Sequence, residues 1–266
     1  MTAEKLSKSM KNCWKGYRLE MLEEKYKGFK IYSFEEKYQA IGKKIVERDY
    51  EEVEVYKNTE RNYVARVRID KREYILKLPK SETIIPQRRI QTIFKKGEAL
   101  TSLENIQKHR GKGITEFAQI YAAAVRKRLT IKESWLLMEY IEGEPLSKIK
   151  DIDKVMELTE KIHRHGIYHG DFNTSNFIKT KKRMRILDTQ GKMEKYLHFK
   201  RWNDIFILKK DLLVLAKKYD VEGKYYFKKR EVSYYTMALI RKIKKSSTIE
   251  WIKGKKKELR KRGWRI

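Results

Sequence analysis

The sequence predicts an α+β protein of two lobes, a small β-rich N-lobe and a helical C-lobe. Three observations carry this. Period-two apolar alternation is confined to the first half of the 266-residue chain. Helical periodicity takes over after Pro145. A polar loop dense in reactive side chains, His169 to Asn176, follows the first helix of the second half. The expected division is an N-terminal extension over 1–26, an N-lobe over 27–140, a C-lobe with the reactive loop over 141–245, and a basic tail over 246–266.

Each element follows from local pattern. Tyr63, Ala65, Val67 and Ile69 alternate with polar residues, which predicts a strand paired through a turn at Asn58 to Asn62 with one over Glu52 to Lys57. A tight Asp70-Lys71-Arg72 connection leads to a third strand, Glu73 to Leu78. A helix is expected over Gln87 to Lys108, then a strand pair ending in Ser134 to Tyr140. In the second half, Asp151 to His165 carries Val155, Leu158 and Ile162 on one face, with Asp153 near its start and Gly166 past its end. A two-stranded hairpin, Phe177-Ile178 with Met184 to Leu187, follows the loop. Arg201 to Tyr219 (Ile205, Leu208, Leu212, Leu215) and Val232 to Lys245 (Val232, Tyr235, Leu239, Ile243) read as amphipathic helices.

Composition narrows the class. With 40% hydrophobic and 12% aromatic residues the chain has enough apolar side chain to fold, despite 38% charged residues. A single cysteine, Cys13, excludes a disulfide framework and fits a reducing compartment. No apolar run approaches the length of a bilayer span, and Met1 to Lys30 has no apolar core of the kind a secretory signal needs. The expectation is a cytoplasmic protein, or one lying on a membrane without crossing it. A net charge of +29 points to a polyanionic partner, nucleic acid or an anionic lipid surface.

The chemistry concentrates in His169-Gly170-Asp171-Phe172-Asn173-Thr174-Ser175-Asn176, followed by Ile186-Leu187-Asp188. A Gly-Asp pair alone is a common turn. His-x-Asp-x4-Asn and then an apolar-apolar-Asp after a short basic hairpin is the spacing of a kinase-like phosphotransferase. Asp171 is the candidate base for the attacking hydroxyl, and Asn176 and Asp188 the candidate magnesium ligands. Lys77, apolar-flanked on the third strand, is the candidate for the nucleotide phosphates. Its expected carboxylate partner is Glu98, with Glu104 as the rival. Leu136 to Leu146 reads as a buried strand running into an interlobe hinge. There Glu139 and Ile141 would offer main-chain contacts to an adenine edge, and Met138 would back the pocket. No glycine stands between the first two strands, so phosphate binding would lean on Lys77 and magnesium rather than on backbone amides. Asp204, near the start of the next helix, is expected to brace the reactive loop. The fold that accommodates all of this is protein-kinase-like.

From Lys27-Gly28-Phe29 to about Lys245, the chain resembles the lipopolysaccharide core heptose kinases, the type acting on the second heptose (WaaY/RfaY). The shared features are the Gly-Phe start, Tyr-Ile-Leu-Lys, Met-Glu-Tyr-Ile-Glu-Gly, Gly-Asp-x4-Asn-Phe, and Asp-x-x-Gly-Lys at Asp188 to Lys192. The resemblance implies an ATP- and magnesium-dependent enzyme that phosphorylates a heptose hydroxyl of the inner core. It would be cytoplasmic and peripheral at the inner membrane, with Asp171 as its catalytic residue and Asn176 and Asp188 as its metal ligands. Its partners would be the lipopolysaccharide core oligosaccharide on lipid A and the anionic inner-membrane surface; no specific nucleic acid is expected. Phe172 to Ser175 depart from the family's loop.

Other readings remain. An aminoglycoside-type phosphotransferase would want an acidic cleft, which the basic excess opposes. A protein kinase usually carries a lysine two residues after the catalytic Asp, where this chain has Asn173. A nucleic-acid-binding protein, or a kinase-fold adaptor without catalysis, would leave the Asp/Asn/Asp set without a purpose. Finally, Arg241 to Ile266 hold twelve basic residues against two acids, interleaved with Trp251 and Trp264, a pairing expected at an anionic bilayer.

Overall fold

The computed structural model describes residues 20–194, 199–227 and 231–261. Seven antiparallel strands form one sheet: β1 (Leu22–Tyr26), β2 (Phe29–Ser33), β3 (Glu51–Asn58), β4 (Asn62–Ile69), β5 (Arg72–Pro79), β6 (Ile120–Lys127) and β7 (Ile131–Glu139). Their order is β1-β2-β6-β7-β5-β4-β3, so β5 and β7 are neighbours near the middle. The β4–β5 connection is tight because Asp70 and Lys71 both take positive φ (50° and 64°), the geometry of a two-residue hairpin turn.

The sheet is covered on both faces. Helix α1 (Glu36–Glu47), which the sequence patterning did not predict, packs Tyr38, Ile41 and Ile45 in a core with Ile31, Val67, Leu76, Trp135 and Leu137. The alternating residues of β6 and β7, Ala123, Val125 and Leu136, face the second and larger core. That core continues through α4 (Glu98–Arg110) into the C-lobe. Strand alternation thus divides β6 and β7 between two cores, and explains why these central strands read as nearly continuous apolar runs.

Between β5 and α4 come a short turn of helix, α2 (Ser81–Ile84), and α3 (Pro86–Phe94). The single helix expected over Gln87 to Lys108 is therefore two helices. The break falls at Lys95-Lys96-Gly97, where the Glu82 carboxylate accepts the Glu98 amide N–H at 2.9 Å and starts α4 as a separate helix.

The C-lobe begins with α5 (Ile149–Arg164), whose start is held by Asp151 accepting the Ser147 and Lys148 amides at 3.1 and 3.0 Å. Asp153 instead receives the Tyr219 hydroxyl at 2.7 Å. After the short strand β8 (Ile167–Tyr168) come the hairpin β9 (Phe177–Lys179) and β10 (Met184–Ile186), and β11 (Lys192–Met193) paired with β8. The helix expected over Arg201 to Tyr219 is also broken, into α6 (Phe199–Leu208) and α7 (Leu212–Ala216). Ile205 and Leu208 are buried, whereas Leu212 and Leu215 face solvent. A single turn, α8 (Val221–Lys224), precedes α9 (Val232–Lys244) and α10 (Ser247–Lys261). On α9 the buried positions are Ser233 and Met237, so the expected stripe of Val232, Tyr235, Leu239 and Ile243 lies outward. The fold is α+β and two-lobed. No helix among the described residues is long and apolar enough to cross a membrane.

Candidate active site

A cavity of about 680 Å³ lies between the lobes. Its apolar walls are Val64 and Ile75 from the sheet, Met138 and Ile141 from the hinge, and Ile178 and Leu187 from below; Lys77, Asn176 and Asp188 line it too. Lys77 is there because it shares a strand face with Ile75, while Leu76 between them is in the core beneath α1. The Lys77 ammonium sits 3.1 Å from Glu98 and 2.5 Å from Asp188. Glu104 lies one turn and a half further on, and pairs with Lys96 at 2.7 Å. Burial pushes Lys77 down, but the carboxylates of Glu98 and Asp188 outweigh it and hold the ammonium above its ordinary value. Burial likewise pushes Asp188 up, and Lys77 outweighs it, so that carboxyl is held below its ordinary value. Both groups remain charged through neutral pH.

One hydrogen bond closes the reactive loop on itself and two fasten it to Leu187, just before Asp188. Asn176 Nδ2 donates to the Asp171 carbonyl at 2.6 Å, the Leu187 amide donates to the Asn176 carbonyl at 2.8 Å, and His169 Nε2 meets the Leu187 carbonyl at 3.0 Å. His169 Nδ1 accepts the Asp171 amide at 3.3 Å, which leaves Nε2 as the nitrogen facing the Leu187 carbonyl. The Asp171 carboxylate takes a 2.7 Å hydrogen bond from Asn173 Nδ2, the residue that stands where a protein kinase has lysine. Beneath the loop, fully buried Asp204 accepts the His169 and Gly170 amides at 2.7 and 2.9 Å and meets His163 Nε2 at 3.3 Å. With its amide committed to the Asp171 carbonyl, Asn176 has its Oδ1 left for a cation, and Asp188 supplies a carboxylate. One carboxamide and one carboxylate form the hard oxygen donor set that magnesium uses beside nucleotide phosphates. The apolar-walled, charged-ended cavity fits a nucleotide in the same sense.

The hinge is braced from both sides. Arg185 on β10, almost wholly buried, makes two contacts with the Glu139 carboxylate, at 3.1 and 2.5 Å, and donates to the Glu116 and Phe117 carbonyls. Burial pushes Glu139 up; Arg185 and the Gln119 amide outweigh it and hold its carboxyl low. The Glu139 amide N–H is itself committed to the Gln119 carbonyl at 2.8 Å, so a main-chain contact from this residue to a ligand would be through its carbonyl. Gly143 passes so close to β9 that a Cβ there would lie 2.6 Å from the Lys179 carbonyl.

Several site residues escaped sequence reasoning. Lys57, at the end of β3, lines the cavity where a glycine-rich loop would otherwise lie. Asn105 and His109, one turn apart on α4, bind the Gln190 and Gly191 carbonyls at 2.9 and 2.7 Å, tying the helix that bears Glu98 to the segment after Asp188. Asp211 caps α7 through the Leu213 amide at 2.9 Å and also receives the Thr174 amide and hydroxyl. The only legible signals were an arginine inside an apolar strand and an Asp placed to cap a helix.

Comparison with known proteins gives the same direction. Residues 20–255 match the family described as lipopolysaccharide core biosynthesis protein (WaaY). The chain is 27% identical over 146 residues to the lipopolysaccharide core heptose(II) kinase WaaY of Escherichia coli K12, covering 53% of this chain and 63% of that protein. A second Escherichia coli protein of that name is 26% identical over 155 residues, 56% of this chain and 67% of the relative. A 61-residue stretch is 38% identical to a probable bifunctional tRNA threonylcarbamoyladenosine biosynthesis protein of Methanosarcina barkeri, covering 22% of this chain and 11% of that protein. The match thus spans less than two thirds of the Escherichia coli K12 relative and a small part of the archaeal one. With the family match running over nearly the whole described fold, the chain belongs to the WaaY family of lipopolysaccharide core biosynthesis proteins.

Proposed function

We propose that this protein transfers a phosphoryl group from ATP to a heptose hydroxyl of the lipopolysaccharide inner core. The observation that carries the reaction is the charged end of an apolar-walled cavity, where Lys77, Glu98 and Asp188 converge beside Asn176. Family membership supports the acceptor class, a sugar of the lipopolysaccharide core.

The ATP–magnesium complex, when bound, supplies the transferable group and the cation that neutralises its charge. Lys77, held by Glu98, faces the phosphates, and Lys57 adds a second cation where backbone amides are lacking. Asn176 and Asp188 hold the magnesium. Asp171, oriented by Asn173, receives the proton of the acceptor hydroxyl at its carboxylate. Met138, the Glu139 carbonyl and the Ile141 backbone contact the adenine. Little covalent work falls to the protein, so the loop's hydrogen bonds, which fix relative position, are most of the mechanism. The same reading makes 27–140 and 141–245 the two lobes, 246–266 a basic tail, and 1–26 an extension whose last residues, Leu22–Tyr26, add β1 to the edge of the N-lobe sheet, in a cytoplasmic enzyme peripheral at the inner membrane.

The test uses purified protein, ATP, magnesium and core oligosaccharide lacking the phosphate. Wild type transfers phosphate to the sugar, and Asp171→Asn keeps its melting temperature while losing about 10²–10⁴-fold in turnover. Retention of more than about a tenth of wild-type turnover would remove Asp171 from the base role.

A further inference from the structure

Helix α9 is apolar on two opposite sides. Inward, Met237 is buried and Tyr234 and Ile240 pack against the C-lobe core. Outward, Val232, Tyr235, Leu239 and Ile243 fall within roughly 80° of one another at about 100° per residue, forming one stripe along the helix. Those four are 80%, 60%, 58% and 52% exposed. A helix apolar all round is ordinarily covered on every side, and single exposed leucines need no explanation where a continuous stripe does. Leu212, exposed at 84%, opens α7, and Trp251 and Ile252 are exposed on α10.

Charge decides what covers the stripe. Lys242 lies at its edge, and Lys210 and Lys245 crowd together at the C-terminal end of the helix beside Arg241, which turns inward to Asn203. The Lys245 ammonium beside it holds Lys210 below its ordinary value, a like-charge contact that an anion would relieve. A second copy of the chain carries the same net charge of +29, so two such molecules repel. The chain's first 19 residues carry five basic residues against one acid, so they too are repelled. A nucleic acid matches the charge but has no use for four large apolar side chains in a line. A bilayer with anionic headgroups matches both, by taking apolar residues into the acyl boundary while lysines and arginines stay at the headgroups.

We propose that the outer face of α9 is a docking surface for an anionic lipid bilayer, seating the C-lobe on the membrane that presents its lipid-linked acceptor. Only that last clause rests on the acceptor proposed above. The docking itself is tested without nucleotide or sugar, so its failure and a failure of phosphate transfer are separate results.

The sole cysteine makes the test direct. Full-length protein carrying Cys13→Ser and Leu239→Cys is labelled at position 239 with an environment-sensitive fluorophore. It is then titrated with phosphatidylglycerol–phosphatidylcholine vesicles at physiological salt. Emission should shift to the blue and intensify on these vesicles, and respond far less to pure phosphatidylcholine. Tyr235→Ser/Leu239→Ser/Ile243→Ser in the otherwise wild-type chain should keep the wild-type melting temperature and lose about 10-fold or more in vesicle affinity. An unchanged emission on anionic vesicles, or equal binding by the triple variant, overturns the proposal. The same blue shift with duplex DNA in place of vesicles would reassign the face to nucleic acid. A shift that grows with protein concentration alone would reassign it to a second copy.

Discussion

Asp204 shows how much of this site depends on one buried side chain. Its carboxylate is fully buried and accepts the two amides that open the reactive loop, so removing it strands both donors away from water. Each orphaned N–H costs about 1–3 kcal/mol. Asp204→Ala should therefore lower the melting temperature, and by loosening the loop reduce turnover about 10-fold or more. Wild-type kinetics together with a wild-type melting temperature would rule this out. The Lys77–Asp188 pair gives a pH signature. Asp188 is held below its ordinary value, so its contribution to stability is present above the ordinary carboxylate range and lost as pH falls through the depressed value. Lys77 is held above its ordinary value, so its share is present below the ordinary lysine range and lost as pH rises through the raised value. The difference in urea midpoint between wild type and Lys77→Met should be constant between those two windows and change outside both. A difference independent of pH from the acid to the alkaline limb would contradict the pairing.

At the scale of elements, α4 joins two parts of the site. Its first residue, Glu98, holds Lys77, and its last turns hold the segment after Asp188 through Asn105 and His109. Gly191 makes that contact possible. It has φ +56°, and an added Cβ would lie 2.9 Å from Ile106 Cδ1 and 3.0 Å from the His109 ring. Gly191→Ala should cost about 1–3 kcal/mol of stability and lower turnover with it, read by urea denaturation and steady-state kinetics. An unchanged denaturation midpoint would show that the segment has room to shift. Legibility follows the same lines. The strands β3 to β5 were readable because alternation and a hairpin turn are local signals. The loop residues were readable because spacing alone carries their chemistry. The two helix breaks were not, since Lys96-Gly97 and Lys210-Asp211 interrupt apolar periods that continue in register on either side. What breaks them is tertiary: Glu82 capping α4, and Asp211 needed at Thr174. Helix α1 was missed because Tyr38, Ile41 and Ile45 are sparse among charged residues. The stripe on α9 has the helical period of a core face and points the other way, which periodicity by itself cannot reveal.

For the whole molecule, the two lobes meet at the hinge, and Arg185 bridges them from β10 to Glu139 on β7. This strut fixes the spacing between the sheet that carries Lys77 and the loop that carries Asp171. The large positive charge fits the same picture at longer range, since an enzyme whose acceptor is anchored in an anionic surface gains encounter rate from attraction to it. The central claim is phosphate transfer to a core heptose, and mass spectrometry of lipopolysaccharide tests it most directly. The comparison is among cells with the gene, cells without it, and cells carrying Asp171→Asn at normal protein level. The account predicts that the latter two lack one phosphate on a core heptose and otherwise match the first. Identical core masses in all three would contradict it.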